Sequence, residues 1–330
     1  MNKAFYAVPI ILILLIFVFT YNIGSSPYAP QQPLSGPGSS EYLSKGVIKS
    51  TYDQGANQFW IYEPMDPKPA SAPVIVFNHG WGATDPISYE PWLIHLAKKG
   101  NIVIYPRYQQ DIFTKSDDFT PNAIKSVKEA INILNNGDHV KPDISRFAIV
   151  GHSVGGIVSI NMAALAKQEK IPEPKAVFCV EPGIERSSDN PVGPILENLS
   201  KVPGNVLLIA LVGDRDNIVG IKTAGRIYRE TTSILAENKD YIILTTDERG
   251  TPPLIADHLA PLAFVKNEYF SFLVNGLDYY GTWKLFDGLY ESVFYGKNRE
   301  YALGNTTQQR YMGKWSNGVP VKELMIIDNP

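Results

Sequence analysis

The chain has 330 residues, enough for one large domain with a sizeable core. Apolar residues make up 44% and charged residues 19%, and the formal net charge is −3, which excludes a disordered polyelectrolyte and a basic nucleic-acid-binding surface. With Cys179 as its one cysteine the chain forms no intramolecular disulfide, and no CxxC or His/Cys cluster proposes a metal or a cofactor site.

After Lys3, residues 4–24 carry no charge, and the next charged residue is Glu41. That run is long enough to cross a bilayer as a helix. The early positive charges keep the N-terminus in the cytoplasm and send the remainder out. The expectation is a transmembrane anchor over 1–23, with a cleaved signal peptide as the alternative, small residues at 24–26 offering a cleavage site. On either reading the folded part is extracellular or otherwise outside the cytoplasm, and the membrane is a partner. Residues 24–45, rich in Ser, Pro, Gly and Gln, are expected to be a disordered linker.

From residue 46 the pattern changes. Residues 47–62 hold two strand-like pieces around DQGAN, a hairpin turn by composition. Continuous apolar runs at 74–77, 102–105, 147–150, 175–180, 205–212 and 241–246 read as buried strands. Helical patterns lie between them, at 91–99, 122–135, after 157, up to about 237, and at 261–274. Alternation of this kind predicts an α/β domain over 46–275, with a mainly parallel central sheet and helices on both faces. The segment 183–202 is too short for a large lid. Residues 276–330 are an aromatic extension expected to pack on the domain, its first part a helix with Trp283, Phe286, Leu289, Val293 and Phe294 inward.

The chemistry centres on residues 146–163, RFAIVGHSVGGIVSINMA. The apolar run stops at Gly151, and helical spacing begins after Gly156, so Ser153 sits at the apex of a tight strand-to-helix turn. Such a turn holds Oγ in the open, and the free N–H groups of the helix start face whatever the serine attacks. A serine hydroxyl needs a base, the base needs a carboxylate, and the developing oxyanion needs two N–H donors. Elimination among the histidines selects His258, in the loop after the last strand of the series. His152 is beside the serine with its side chain opposed, His79 belongs to an HG turn, His95 lies in a helix, and His139 precedes the serine strand at the far edge. For the acid, Asp216 follows the 205–212 strand on the serine's edge of the sheet; Asp214 and Glu181 remain alternatives. The oxyanion donors are expected to be the N–H groups of Val154 and Trp81. Trp81, His152 and Tyr108 are the candidates to line the substrate site.

NHGWG at 78–82, GHSVGG at 151–156, GDRDNIV at 213–219 and DHLAP at 257–261 together resemble the α/β-hydrolase superfamily, most nearly its dienelactone hydrolase, chlorophyllase and cutinase-like esterase branch. The order Ser, Asp, His is the order of that superfamily. The resemblance covers about residues 47–275. It implies the α/β-hydrolase fold and a carboxylic ester hydrolase working through an acyl-enzyme, without cofactor or metal, on a small-molecule or polymeric ester. Three departures stand out: no disulfide near the C-terminus, the N-terminal apolar segment, and the long tail. The alternatives are a peptidase or thioesterase with the same triad, or a non-catalytic binding module. Oligomeric state is not legible.

Overall fold

The computed structural model describes residues 26–187, 192–263 and 273–330. The expected anchor over 1–23 lies outside the described residues, as does most of the helix expected at 261–274. Among the described residues, no helix is long and apolar enough to cross a membrane, and 261–263 are not helical.

The hairpin is β1 (Gly46–Tyr52) and β2 (Phe59–Met65), antiparallel with Tyr52 opposite Phe59. It is followed by β3 (Ser71–Asn78), β4 (Ile102–Pro106), β5 (Lys141–His152), β6 (Ala176–Val180), β7 (Leu207–Gly213), β8 (Lys239–Leu244) and β9 (Met325–Ile327). These form one nine-stranded sheet in the order β1-β2-β4-β3-β5-β6-β7-β8-β9. Strands β3 to β8 run parallel. The sheet is a mixed α/β sheet of the kind the motifs imply.

Period-two alternation divides the core between the two faces. Val74, Val76, Ile102, Ile104 and Ile149 meet α2 (Phe119–Asn136) and α3 (Val154–Glu169) through Val127, Val158 and Met162. Their neighbours Ile75, Phe77, Val103 and Tyr105 turn to the other face, toward α1 (Glu90–Lys98) and α5 (Lys284–Tyr295), where Trp92, Leu93, Phe286 and Leu289 lie. Helix α3 is buried along nearly its whole length, which is why its sequence is apolar all round instead of amphipathic. Helix α4 (Lys222–Glu230) covers β7 and β8 with Ala224 and Ile227.

Two stretches differ from expectation. Residues 26–45 have little regular structure, yet they lie on the domain as a strap. The Gly38 N–H donates to Asp287 Oδ2 at 2.8 Å, Lys99 Nζ donates to the Gly36 carbonyl at 3.2 Å, and Ser316 Oγ accepts from the Tyr28 N–H at 3.0 Å. A chain poor in apolar side chains is held here by its backbone groups and a few polar side chains. The C-terminal extension adds β9, unforeseen, antiparallel to β8 at the sheet edge. Before α5 it opens with a π-helical turn, Asp278–Trp283.

Candidate active site

Strand β5 delivers Ser153 to the start of α3 with φ 56° and ψ −127°, a backbone conformation held only where the surroundings compel it. The flanking glycines explain how. A Cβ on Gly151 would lie 2.1 Å from the Gly155 carbonyl oxygen, and one on Gly155 would lie 2.2 Å from that of Asn78. Helix and strand therefore approach more closely than any side chain permits. Val154 opens α3, so its N–H has no carbonyl a turn earlier to take it.

His258 reaches the serine from the loop after β8. Its Nε2 is 2.9 Å from Ser153 Oγ, and its Nδ1 is 2.9 Å from Asp216 Oδ2. An ionised carboxylate only accepts, so Nδ1 carries the proton and Nε2 is free to take one from the serine. Asp216 Oδ1 accepts from the N–H groups of Ile218 and Val219 at 2.9 and 3.0 Å. Burial pushes the Asp216 carboxyl up, but the His258 ring and these two amides outweigh it and hold the group below its ordinary value.

Neither alternative acid makes a hydrogen bond to the His258 ring. Asp214 binds the Thr246 hydroxyl and N–H at 2.5 and 2.9 Å, and Thr246 Oγ1 accepts from the Ala256 N–H at 3.0 Å. It braces the loop that carries His258. Glu181 Oε2 lies 3.8 Å from His258 Nδ1 and 3.3 Å from His152 Nε2, and neither carboxyl oxygen makes a hydrogen bond. Burial, with Asp216 and Asp257 nearby, raises this carboxyl well above its ordinary value.

The serine and the histidine stand in a cavity of about 430 Å³ lined also by Gly80, Trp81, Tyr89, Ile184, Ile218 and Leu262. Trp81 follows β3 in the HG turn; its indole N–H donates to the Ile112 carbonyl at 3.2 Å, and its ring lies edge-on to Phe119. His79 itself is buried, stacked on Tyr108 with ring centroids 4.1 Å apart. Tyr108, expected to line the substrate site, does not. It is fully buried, and its hydroxyl donates to the His79 carbonyl. With φ 35° the chain turns there and sends the ring beneath the His79 turn.

His152 does line the cavity, and its ring lies 4.8 Å from that of His258. Sequence reasoning missed Tyr89, which sits in the turn before α1 with its hydroxyl 2.7 Å from His152 Nδ1. A tyrosine in a turn carries no motif, so nothing in the sequence marks it. His152, Glu181 and His258 bring ligand-type atoms within 4.8 Å of one another. They suit a metal poorly, since both nitrogens of each ring are already engaged, to Tyr89 and the His258 carbonyl in one and to Asp216 and Ser153 in the other.

Residues 45–201 match the family model described as Chlorophyllase. The chain is also 30% identical over 148 residues to a protein of Phoma sp. named as probable carboxylesterase M8, the match covering 39% of this chain and 46% of that protein. The chain thus spans just under half the length of the curated relative it matches. Both matches support the resemblance that the motifs carry, to the esterase branch of the α/β-hydrolases.

Proposed function

We propose that this chain, an α/β-hydrolase of the esterase branch, is a serine hydrolase that cleaves carboxylic esters through an acyl-enzyme. The observation that carries the reading is the hydrogen-bonded chain Ser153–His258–Asp216, both links 2.9 Å, opening on the cavity. Ser153 Oγ attacks the ester carbonyl while His258 Nε2 takes its proton. The carbonyl oxygen becomes an oxyanion beside the N–H groups of Val154 and Trp81. Collapse breaks the ester bond, and His258 returns the proton to the departing alcohol. Water then attacks the acyl-enzyme by the same route reversed. Asp216 keeps His258 in the Nδ1–H tautomer and faces the imidazolium as it forms.

The walls of the cavity, largely Trp81, Ile184, Ile218, Leu259 and Leu262, favour an apolar or aromatic acyl group. On its sequence alone, the apolar run at 4–24 supports a further proposal, that the domain works outside the cytoplasm, at a membrane if the run is retained.

The test is labelling of residues 26–330 with a fluorophosphonate, with Ser153→Ala beside it, and location of the adduct by mass spectrometry. Labelling of Ser153, with turnover of p-nitrophenyl esters lost by a factor of about 10⁴ or more in the alanine variant, is expected. A folded protein that takes no label would overturn the reading. A panel of amides and thioesters separates esterase from peptidase or thioesterase.

A further inference from the structure

Beside the triad runs a second buried chain of hydrogen bonds that the reaction above does not use. The Gly80 N–H donates to the Tyr89 hydroxyl at 3.0 Å. The Tyr89 hydroxyl is 2.7 Å from His152 Nδ1, and His152 Nε2 is 2.9 Å from the backbone carbonyl oxygen of His258. Tyr89 and His152 are only 1% and 3% exposed.

Donor counting orients this chain in one direction. A carbonyl oxygen only accepts, so His152 carries its proton on Nε2. A neutral imidazole then offers a lone pair at Nδ1. The phenol has one proton and gives it to that lone pair, leaving its oxygen to accept from Gly80. Burial, with the neighbouring His258, lowers His152 to about 3 and keeps the ring neutral. Glu181 Oε2, 3.3 Å from His152 Nε2, makes no hydrogen bond to it, so each donor and acceptor of the chain is used once.

The two ends of the chain belong to the two halves of the site. Gly80 precedes Trp81, the second oxyanion donor in the proposed reaction; His258 is the base. There is little slack between them. A Cβ built on Gly80 would lie 3.1 Å from the Tyr89 hydroxyl, 3.3 Å from His152 Nδ1 and 3.4 Å from Ser153 Cβ. The same two loops are joined again one residue from Tyr89, where the Ala263 N–H donates to the Ser88 carbonyl at 2.8 Å.

We infer that Tyr89 and His152 are positioning residues, and that the directed chain Gly80–Tyr89–His152–His258 sets the oxyanion loop against the general base. Its effect on rate rests on the serine-hydrolase reading; its existence does not. Small displacements of reacting groups weaken catalysis steeply, by up to about a hundredfold for 1 Å.

Tyr89→Phe and His152→Gln both cut the link at Nδ1, while glutamine keeps an amide N–H for the His258 carbonyl. Each is expected to lower kcat for a p-nitrophenyl ester by about tenfold to a hundredfold with KM within about twofold. The double variant is expected to be no worse than the poorer single one, because both break one unit. In the wild-type protein, ¹⁵N spectra of histidine are expected to show His152 as the neutral Nε2–H tautomer from about pH 5 to 8, and still so in Tyr89→Phe, where the His258 carbonyl remains. Full kcat in the single variants, losses that multiply, or a loss carried by KM would each overturn the proposal. If a variant fails to fold, a wild-type His152 in the Nδ1–H form overturns it and one in the Nε2–H form supports it. Failure of the wild type to take the fluorophosphonate removes the serine-hydrolase reading instead, and the tautomer still decides the chain.

Discussion

Among the described residues, two chains have the form aspartate, imidazole, hydroxyl. In one, Asp216 binds His258 at 2.9 Å and His258 faces Ser153 at 2.9 Å. In the other, Asp287 Oδ2 binds His95 Nε2 at 2.9 Å, and His95 Nδ1 faces the Tyr42 hydroxyl at 3.2 Å. The pairs are alike in length, and the aspartates alike in direction. Burial pushes Asp287 up, yet His95, Lys99 and the Gly38 N–H outweigh it and hold the carboxyl low. What differs lies around the hydroxyl. Ser153 stands at positive φ, at the first turn of a helix, in the wall of a cavity. Tyr42 belongs to the strap, the side chains of His95 and Asp287 are 0% exposed, and Trp283 stacks on the His95 ring at 4.4 Å. An Asp–His–hydroxyl series is therefore no active site by itself. What sets the Ser153 series apart is its turn at positive φ, its place at the start of a helix and its opening onto a cavity.

Removing the histidine from each chain separates the two roles most sharply. His258→Gln is expected to lower kcat by about 10⁴-fold or more, with little change in melting temperature. His95→Leu leaves Asp287 buried without its imidazole partner, which costs about 3–5 kcal/mol, a fall of roughly 10 °C in a domain of this size, with kcat unchanged. Initial rates and thermal melts of the two variants check this. A His95→Leu protein that melts like the wild type and loses turnover breaks the comparison.

The chain at Ser153 was legible in the sequence, and the structural one at His95 was not. Ser153, Asp216 and His258 each follow a buried strand, and parallel strands bring their ends to one edge. Asp287 is pinned to Gly38 and His95 across 249 and 192 residues, and no local pattern registers such a contact. The composition of the strap predicts disorder because composition measures what a segment buries of its own side chains. It does not measure backbone groups held by a distant carboxylate. Tyr108 departs from expectation for a local reason: the second residue past β4 takes φ 35° and turns inward. Strand β9 is three residues in an irregular tail, too short for alternation to show.

A third buried carboxylate shows what the two histidines supply. Asp278 accepts from the Asn275 N–H at 2.8 Å, and burial raises it to about 7. The folded value exceeds the unfolded value near 4, so the folded state keeps a proton that the unfolded state releases. Stability contributed by the neutral carboxyl is complete below about pH 4, declines as pH rises, and is gone above about pH 7. Asp278→Asn is therefore expected to be more stable than the wild type at pH 8, on the order of 2–4 kcal/mol, and close to it at pH 4. Denaturant unfolding at the two pH values measures the difference, and an equal effect at both would show that Asp278 is ionised in the fold throughout.

The smallest expected effect bears on which carboxylate completes the catalytic chain. Glu181 and Asp216 both approach His258 Nδ1, at 3.8 and 2.9 Å. Asp216 is satisfied by two amides as well as the ring, and Glu181 by nothing, its oxygens buried without a hydrogen bond. A buried carboxyl so placed, with Asp216 and Asp257 close by, stays protonated. Glu181→Gln then replaces one neutral group by another of the same shape. The expected result is kcat/KM within about threefold of the wild type between pH 7 and 8, whereas Asp216→Asn loses about 10⁴-fold by taking away the group that holds the His258 tautomer. Equal losses in the two variants would mean that Glu181 is ionised and shares the imidazolium with Asp216. The catalytic chain would then differ from the structural one in its carboxylates as well as in its hydroxyl.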